Sequence, residues 1–173
     1  EGLFKVLYII PGYPYKARQK PYGQIAGFFK SRGLKPILVS MPWTHMTLSG
    51  NLEQFMRYYH KFDGKQVYLF GHSIGAVIAF IASAKIKPKL AILCSLSPTF
   101  KEDLPHLKSR WKKLIGKRRL NDLKRHSFNK IAKGVKCRTI LLAGAQEDAQ
   151  LLRRVKEAKR KIKNSKLVLN SDL

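Results

Sequence analysis

The chain has 173 residues, of which 45% are hydrophobic and 10% aromatic, a composition that favours a globular domain and excludes a disordered segment. No apolar run reaches the roughly 18 residues that a membrane-spanning helix needs. Lysine and arginine total 35 against 10 acidic residues, so the formal net charge is +25. The two cysteines lie in or beside apolar segments, as buried thiols do, and this favours a cytoplasmic protein.

The positive charge is spread over most of the chain rather than gathered in one run. We interpret it as a general bias of the surface, which permits weak, non-specific binding to nucleic acid or to an anionic membrane. A non-catalytic protein that binds such polyanions therefore remains the alternative to the function derived below. The sequence does not indicate an oligomeric state.

The first part of the chain alternates apolar strands with amphipathic helices. A buried strand ends at Pro11-Gly12-Tyr13-Pro14, a strong break. Asn51 and Gln54 resemble a capping box at the start of the second helix. The predicted elements are a strand over 3–10, a helix over 21–32, a strand over 35–41 and a helix that starts near Asn51.

The rest of the chain continues this alternation. Strands are predicted over 66–70, 89–96, 137–144 and 165–169, and helices over 74–86 and 149–163. Alternating strands and helices imply right-handed crossovers. The fold class is therefore α/β, with a mostly parallel sheet of about six strands and helices on both faces, in a single domain over 1–173.

One segment, residues 100–136, contains no convincing strand. It carries 13 basic residues between Lys101 and Lys136, and apolar residues at helical spacing. We expect a helical, basic cap inserted between the fourth and fifth strands. Its side chains suited to cover a substrate are Phe100, Leu104, Leu107, Trp111 and Leu114.

A Gly-x-Ser-x-Gly motif joins the third strand to the helix over 74–86. In this context it predicts a nucleophile elbow, in which Gly71 and Gly75 permit a tight, strained turn and raise Ser73 at the helix N-terminus. The Ile74 amide would then face a developing oxyanion. Strand alternation turns His72 away from Ser73.

An oxyanion hole needs a second donor. The break at Pro11-Gly12-Tyr13-Pro14 follows the first strand, and the Tyr13 amide is the candidate. Tyr13 or Tyr15 is also suited to form a wall of the acyl pocket.

Three motifs give the chain a family resemblance: PGYP at 11–14, GHSIGA at 71–76 and LLAGAQED at 141–148. With these motifs the chain resembles the α/β-hydrolase superfamily from about residue 4 to 169, in a compact form without two leading strands. The resemblance implies a triad of serine, acid and histidine in that chain order. It also implies action on esters, thioesters, amides or related bonds.

The triad acid is expected at the carboxyl end of a strand. This leaves Glu147 and Asp148 after the fifth strand, and Glu102 and Asp103 after the fourth. The family pattern favours Asp148, with Asp103 as the second candidate. Asp148 is also suited to be the N-cap of the following helix.

The triad histidine is the point where the sequence departs from the family. The family places it after the last strand, and the sequence given ends at Leu173, where that residue is due. The chain also opens at Glu1 without a methionine, so we expect it to be part of a longer polypeptide with a histidine beyond Leu173. None of the five histidines present is at the family's position.

These observations predict a serine hydrolase that cleaves a small ester or thioester through an acyl-enzyme on Ser73. An acyltransferase or peptidase on the same scaffold remains open. No zinc-ligand spacing and no phosphate-binding glycine loop occur in the sequence, so neither a metal nor a cofactor is expected.

Overall fold

The computed structural model describes residues 4–61 and 65–172, and at its centre lies a six-stranded sheet. Every strand pairs in parallel with its neighbours, in the order β2-β1-β3-β4-β5-β6. The predicted α/β class with a parallel sheet of about six strands is therefore confirmed. The strands are β1 (Phe4–Ile10), β2 (Lys35–Leu38), β3 (Lys65–His72), β4 (Leu90–Cys94), β5 (Arg138–Gly144) and β6 (Ser165–Asn170).

Helices connect these strands and cover the sheet. Within the described residues none is both long and apolar enough to cross a membrane. The helices are α1 (Lys20–Lys30), α2 (Leu48–Tyr59), α3 (Ile74–Ile86), α4 (Ser109–Ile115), α5 (Lys117–Leu123), α6 (Phe128–Gly134) and α7 (Ala149–Lys161), with a 3-10 helix at Lys101–His106.

The central helix α3 is buried almost all round, as its uniformly apolar sequence predicts. Every residue from Gly75 to Ser83 is buried, and the Ser83 hydroxyl donates to the Ala79 carbonyl at 2.7 Å. On the opposite face of the sheet, a smaller apolar cluster forms around Tyr22 of α1. Apolar contacts on both faces hold β3 firmly, so its carboxyl end is a rigid base for the residues that follow.

Helix α2 begins at Leu48, with Thr47 as its N-cap, so the predicted capping box of Asn51 with Gln54 is wrong. The Thr47 hydroxyl accepts the Gly50 N–H at 3.1 Å, and this contact satisfies one of the free donors at the helix start. Because glycine disfavours helices, Gly50 led to a predicted start of α2 that is later than the observed one. Asn51 therefore lies in the first turn, and its side chain is not used for capping.

The segment 100–136 divides into two parts with different surroundings. Phe100 and Phe128 are fully buried against Phe80 of α3, with ring centroids 5.3–5.4 Å apart. Phe100 was expected to cover a substrate, but it belongs to the main core, because its ring completes this aromatic cluster. The part of the segment that borders a cavity is the helix pair α4–α5.

A polar cluster joins α5 to the start of α2. The Ser49 hydroxyl donates to Asp122 Oδ1 at 2.6 Å and lies 2.9 Å from His126 Nε2. Asp122 Oδ2 also accepts the Ser49 N–H at 2.9 Å. The Ser49 proton is thus directed at a carboxylate, so this trio fastens α5 to the fold and does not activate a serine.

We expect the protein to lose stability as the pH falls below about 6.5, the ordinary pKa of histidine. Burial lowers the pKa of His126 despite the opposing charge of Asp122, and burial likewise lowers the pKa of His72. The unfolded chain therefore binds these protons more readily, so the stability present above the unfolded pKa is lost as the pH falls towards the folded pKa. Thermal unfolding at a series of pH values measures this loss. His126→Gln, which keeps a polar group near Ser49, should show a shallower fall, and an equal slope in both proteins would contradict the assignment.

Candidate active site

Ser73 occupies a strained turn between β3 and α3. Its φ and ψ are 56° and −116°, a conformation that costs a non-glycine residue about 1–3 kcal/mol. The Ser73 N–H donates to the Cys94 carbonyl at 2.9 Å, and the Ser73 carbonyl accepts the Ala76 N–H at 3.0 Å. The turn is thus held by β4 on one side and by the first turn of α3 on the other.

The glycines on either side of Ser73 are required by close backbone approach. A Cβ on Gly71 would lie 2.6 Å from Ala76 Cα, and one on Gly75 would lie 2.5 Å from the Pro11 carbonyl oxygen. Real Cβ atoms do not come this close, so any side chain here would push α3 away from the sheet. The motif is therefore a packing requirement of this turn.

The loop after β1 runs directly beside Ser73. A Cβ on Gly12 would lie 3.1 Å from the Ser73 Cβ. The Gly12 N–H donates to the Tyr22 hydroxyl at 3.0 Å, whereas the Tyr13 N–H has no hydrogen-bond partner among the described residues. The Ile74 N–H is the first of α3 and has no acceptor within the helix. Two amides next to Ser73 are therefore available to an oxygen atom.

His72 is directed to the other face of the sheet. Its Nδ1 lies 2.8 Å from the Tyr22 hydroxyl, and burial lowers the pKa of its ring. Through Tyr22 it is linked to the Gly12 amide, so it helps to fix the loop that carries Tyr13. His72 is a support of the turn and does not face the Ser73 hydroxyl.

The rings of three other histidines have partners away from Ser73. His126 belongs to the cluster with Ser49, His106 lies 3.3 Å from an Arg153 nitrogen, and the His60 ring packs on Tyr59. The His45 carbonyl accepts a hydrogen bond from Arg118. Within the described part of the chain, no histidine ring is hydrogen-bonded to the Ser73 hydroxyl.

Two adjacent acids after β5 have different surroundings. Asp148 is exposed and is the N-cap of α7, where its Oδ2 accepts the Gln150 N–H at 2.9 Å. Glu147 is half-buried, and its Oε1 accepts the Ser95 hydroxyl proton at 2.5 Å. Glu147 Oε2 is buried without a hydrogen-bond partner among the described residues. An unpaired buried carboxylate oxygen is energetically costly. Of these two acids, Glu147 is therefore the one whose Oε2 still needs a hydrogen-bond donor.

Asp103, the second acid that the resemblance suggested, lies in a buried ion pair. Its Oδ1 is 2.6 Å from Arg154 Nη2, and the two side chains are 2% and 1% exposed. Asp103 Oδ2 also accepts the Phe100 N–H at 3.1 Å. These contacts indicate that the Asp103 carboxylate has a structural role.

A cavity of about 410 Å³ opens beside the elbow, and both Tyr13 and Ile74 line it. The helix pair α4–α5 supplies Trp111 and Leu114 to its wall, as predicted, but Leu104 and Leu107 do not line it. The apolar wall includes Trp43, Met46, Leu48, Trp111, Leu114 and Leu123.

Three polar residues interrupt this apolar wall: Asn51, Thr99 and Arg119. Arg119 Nε donates to the Met46 carbonyl at 3.0 Å, and this contact holds the loop between β2 and α2 against α5. Asn51 and the loop residues of the wall were not predicted from the sequence. The available signal was the tryptophan-containing stretch PWTHM at 42–46, which lies outside every predicted strand and helix.

The site offers no evident set of metal ligands. Among residues 4–61 and 65–172, no group of three or more His, Cys, Asp and Glu side chains is arranged to hold a metal ion. Cys94 and Cys137 are free thiols, and burial raises the pKa of both.

Solved structures share this architecture at low sequence identity. Est1E from Butyrivibrio proteoclasticus superposes with a TM-score of 0.84 over 96% of this chain and 78% of its own, at 17% identity. The mouse alpha/beta hydrolase domain-containing protein 10 gives 0.71 over 96% and 80%, at 15% identity. MGS-MChE2, an alpha/beta hydrolase enzyme from a lagoon-sediment metagenome of Mar Chica, Morocco, gives 0.68 over 98% and 81%, at 18% identity.

No family model matches the sequence, and no curated protein matches it either. The likeness is therefore one of structure. Together with the parallel sheet and the strained turn, it shows that the chain has the α/β-hydrolase fold.

Proposed function

We propose that this protein is a serine hydrolase that cleaves a small ester or thioester through an acyl-enzyme on Ser73. The observation that carries the proposal is the strained Ser73 at the N-terminus of a buried helix, next to an apolar cavity that Ile74 and Tyr13 line. Strain of this kind persists where the surrounding structure maintains it, and it is concentrated at functional sites. The α/β-hydrolase fold of the neighbours agrees with a hydrolytic function.

The reaction begins when Ser73 Oγ attacks the substrate carbonyl carbon while a base takes the hydroxyl proton. The carbonyl oxygen becomes an oxyanion, which the amides of Tyr13 and Ile74 stabilise. Collapse of this intermediate breaks the bond to the alcohol or thiol, which leaves with the proton from the base. Water then attacks the acyl-enzyme by the same steps and releases the acid.

A histidine that follows β6 would supply the base. Strand β6 runs parallel to β5, and the Ala145 N–H donates to the Asn170 carbonyl at 2.8 Å. The chain that leaves β6 therefore emerges beside the loop of Glu147, at the carboxyl edge of the sheet. A histidine beyond Leu173 would be introduced on this side of the site.

Glu147 is the acid that we propose to orient this histidine. Its unpaired Oε2 is suited to accept a ring N–H, while the Ser95 hydroxyl holds Oε1. Asp148, the acid favoured by the family pattern, is exposed and uses its Oδ2 as the N-cap of α7. The acyl group, of short to medium length, would occupy the apolar cavity.

A fluorophosphonate probe tests the activated serine directly. Intact-mass spectrometry of the full-length protein should show a single adduct, and Ser73→Ala should show none. Ser97→Ala, which alters another serine after β4, should label like the wild type. A full-length protein that carries a histidine after β6 and still forms no adduct would overturn the proposal. Salt-dependent binding to nucleic acid would then be measured for the basic surface.

A further inference from the structure

Two polar atoms in the cavity wall are buried and unpaired. Asn51 Oδ1 and Thr99 Oγ1 have no hydrogen-bond partner among the described residues, and both residues line the cavity of about 410 Å³. Asn51 is 6% exposed. Buried polar atoms in folded proteins are nearly always hydrogen-bonded. Two unpaired atoms in one cavity therefore point to a ligand that donates to Asn51 Oδ1 and that donates to or accepts from Thr99 Oγ1.

The Asn51 side chain is not used to cap helix α2. Thr47 caps α2 by accepting the Gly50 N–H, and the Asn51 backbone N–H donates to the Thr47 carbonyl at 2.9 Å. Asn51 Oδ1 is therefore free to accept a hydrogen bond from a ligand. An apolar residue at this position would fill the same space without an unpaired atom.

The surroundings of Asn51 define what kind of ligand would fit. The wall is apolar, with Trp43, Trp111 and Leu123 among its members. The guanidinium of Arg119 donates to the carbonyl of Met46, so it holds the loop in place. The cavity thus suits an apolar group that carries a polar function able to donate to Asn51 Oδ1.

We propose that the cavity selects substrates whose apolar part bears a hydroxyl or amide N–H, which donates to Asn51 Oδ1. The Thr99 hydroxyl lies in the same wall and accepts from or donates to the same group. Asn51 is thereby a specificity-determining residue. That these ligands are substrates rests on the proposed hydrolase function. That they bind in this cavity does not depend on it.

Binding can be measured without catalysis, because both tryptophans of the chain, Trp43 and Trp111, line this cavity. The full-length Ser73→Ala protein is titrated with methyl esters of linear ω-hydroxy acids of increasing length, and with the matching esters that lack the hydroxyl. Tryptophan fluorescence gives the dissociation constants. At the best length the hydroxy ester should bind about tenfold more tightly. The ω-methoxy ester, which cannot donate, should not regain this affinity.

Two variants in the Ser73→Ala background assign the effect. Asn51→Leu should bind the hydroxy and unsubstituted esters equally, and it should melt no lower than its parent because an unpaired buried oxygen is removed. Gln54→Leu makes a comparable change on the same helix, outside the cavity wall, and should keep the tenfold preference.

The outcomes separate this subsite from the proposed reaction. Equal affinities for hydroxy and unsubstituted esters at every length, or no fluorescence change with any ester, would overturn the subsite. A hydroxyl preference that Asn51→Leu removes would support it, even if the fluorophosphonate failed to label Ser73. In that case the hydrolase proposal alone would fall.

Discussion

Glu147→Gln is expected to lower the kcat/KM of the full-length protein by roughly 10⁴, the size of effect seen when a triad acid becomes its amide. A carboxylate at this position would hold the histidine in the tautomer that accepts the Ser73 proton. The amide would present an N–H to the ring in one orientation and would stabilise the imidazolium less. The measurement is steady-state hydrolysis of an activated ester.

Asp148→Asn is the matched control, because it makes the same chemical change one residue away. Asparagine is as good an N-cap as aspartate, so helix α7 should keep its start and the melting temperature should change little. We expect kcat/KM to stay within about twofold of the wild type, since the change leaves the cap in place. A large loss in Asp148→Asn with little loss in Glu147→Gln would instead assign the acid as the family pattern does.

The choice between these two acids illustrates a limit of sequence reasoning. Both follow β5 directly, and a shift of one residue in a turn redirects a side chain completely. The sequence indicates that Asp148 is suited to cap α7, but nothing in it reveals that Glu147 turns inward to Ser95. That distinction depends on Ser95, which is 52 residues earlier in the chain.

The fold itself could be predicted well, because it is encoded in local periodicity. The helix predicted over 74–86 matches α3 (Ile74–Ile86), since this apolar run begins at the glycine-containing turn around Ser73 and ends just before Pro88. The start of α2 was missed by three residues, because Gly50 disguised the cap at Thr47. Boundaries depend on such single hydrogen bonds, whereas the type of element depends on many residues.

The cavity could not be assembled from the sequence. Its walls combine the loop between β2 and α2 with α4 and α5, and the contact that joins them links Arg119 to Met46, 73 residues apart. Phe100 shows the same difficulty, because an aromatic residue at the start of the segment fits a lid and a core equally well. Only its packing against Phe80 and Phe128 assigns it to the core.

Asp103→Asn is expected to lower the free energy of unfolding by about 3–5 kcal/mol, because it removes the carboxylate that pairs with the buried Arg154 guanidinium at 2.6 Å and with Arg153 at 3.2 Å. The loss would be large because Arg154 has few other partners. Its Nη1 lies 3.7 Å from Glu157 but has no hydrogen bond among the described residues, and its guanidinium carbon lies 4.0 Å from the Phe128 ring centroid. Urea unfolding monitored by circular dichroism measures the change.

Two further variants show whether the cost comes from the unpaired charge. Asp103→Asn combined with Arg154→Met should be less destabilised than Asp103→Asn alone, because no buried charge remains. Arg160→Gln removes another arginine of α7 whose ion pair is 71% exposed on the arginine side, and it should cost less than about 1 kcal/mol.

Stability and activity together decide the role of Asp103. If it is structural, Asp103→Asn should unfold at lower urea concentration while its kcat/KM, measured where the protein is fully folded, stays near the wild-type value. Glu147→Gln should show the reverse, because its carboxylate contacts one serine hydroxyl and no buried cation in the described chain. A folded Asp103→Asn protein without activity would contradict both assignments, since it would make Asp103 the acid and leave the unpaired oxygen of Glu147 without a catalytic role.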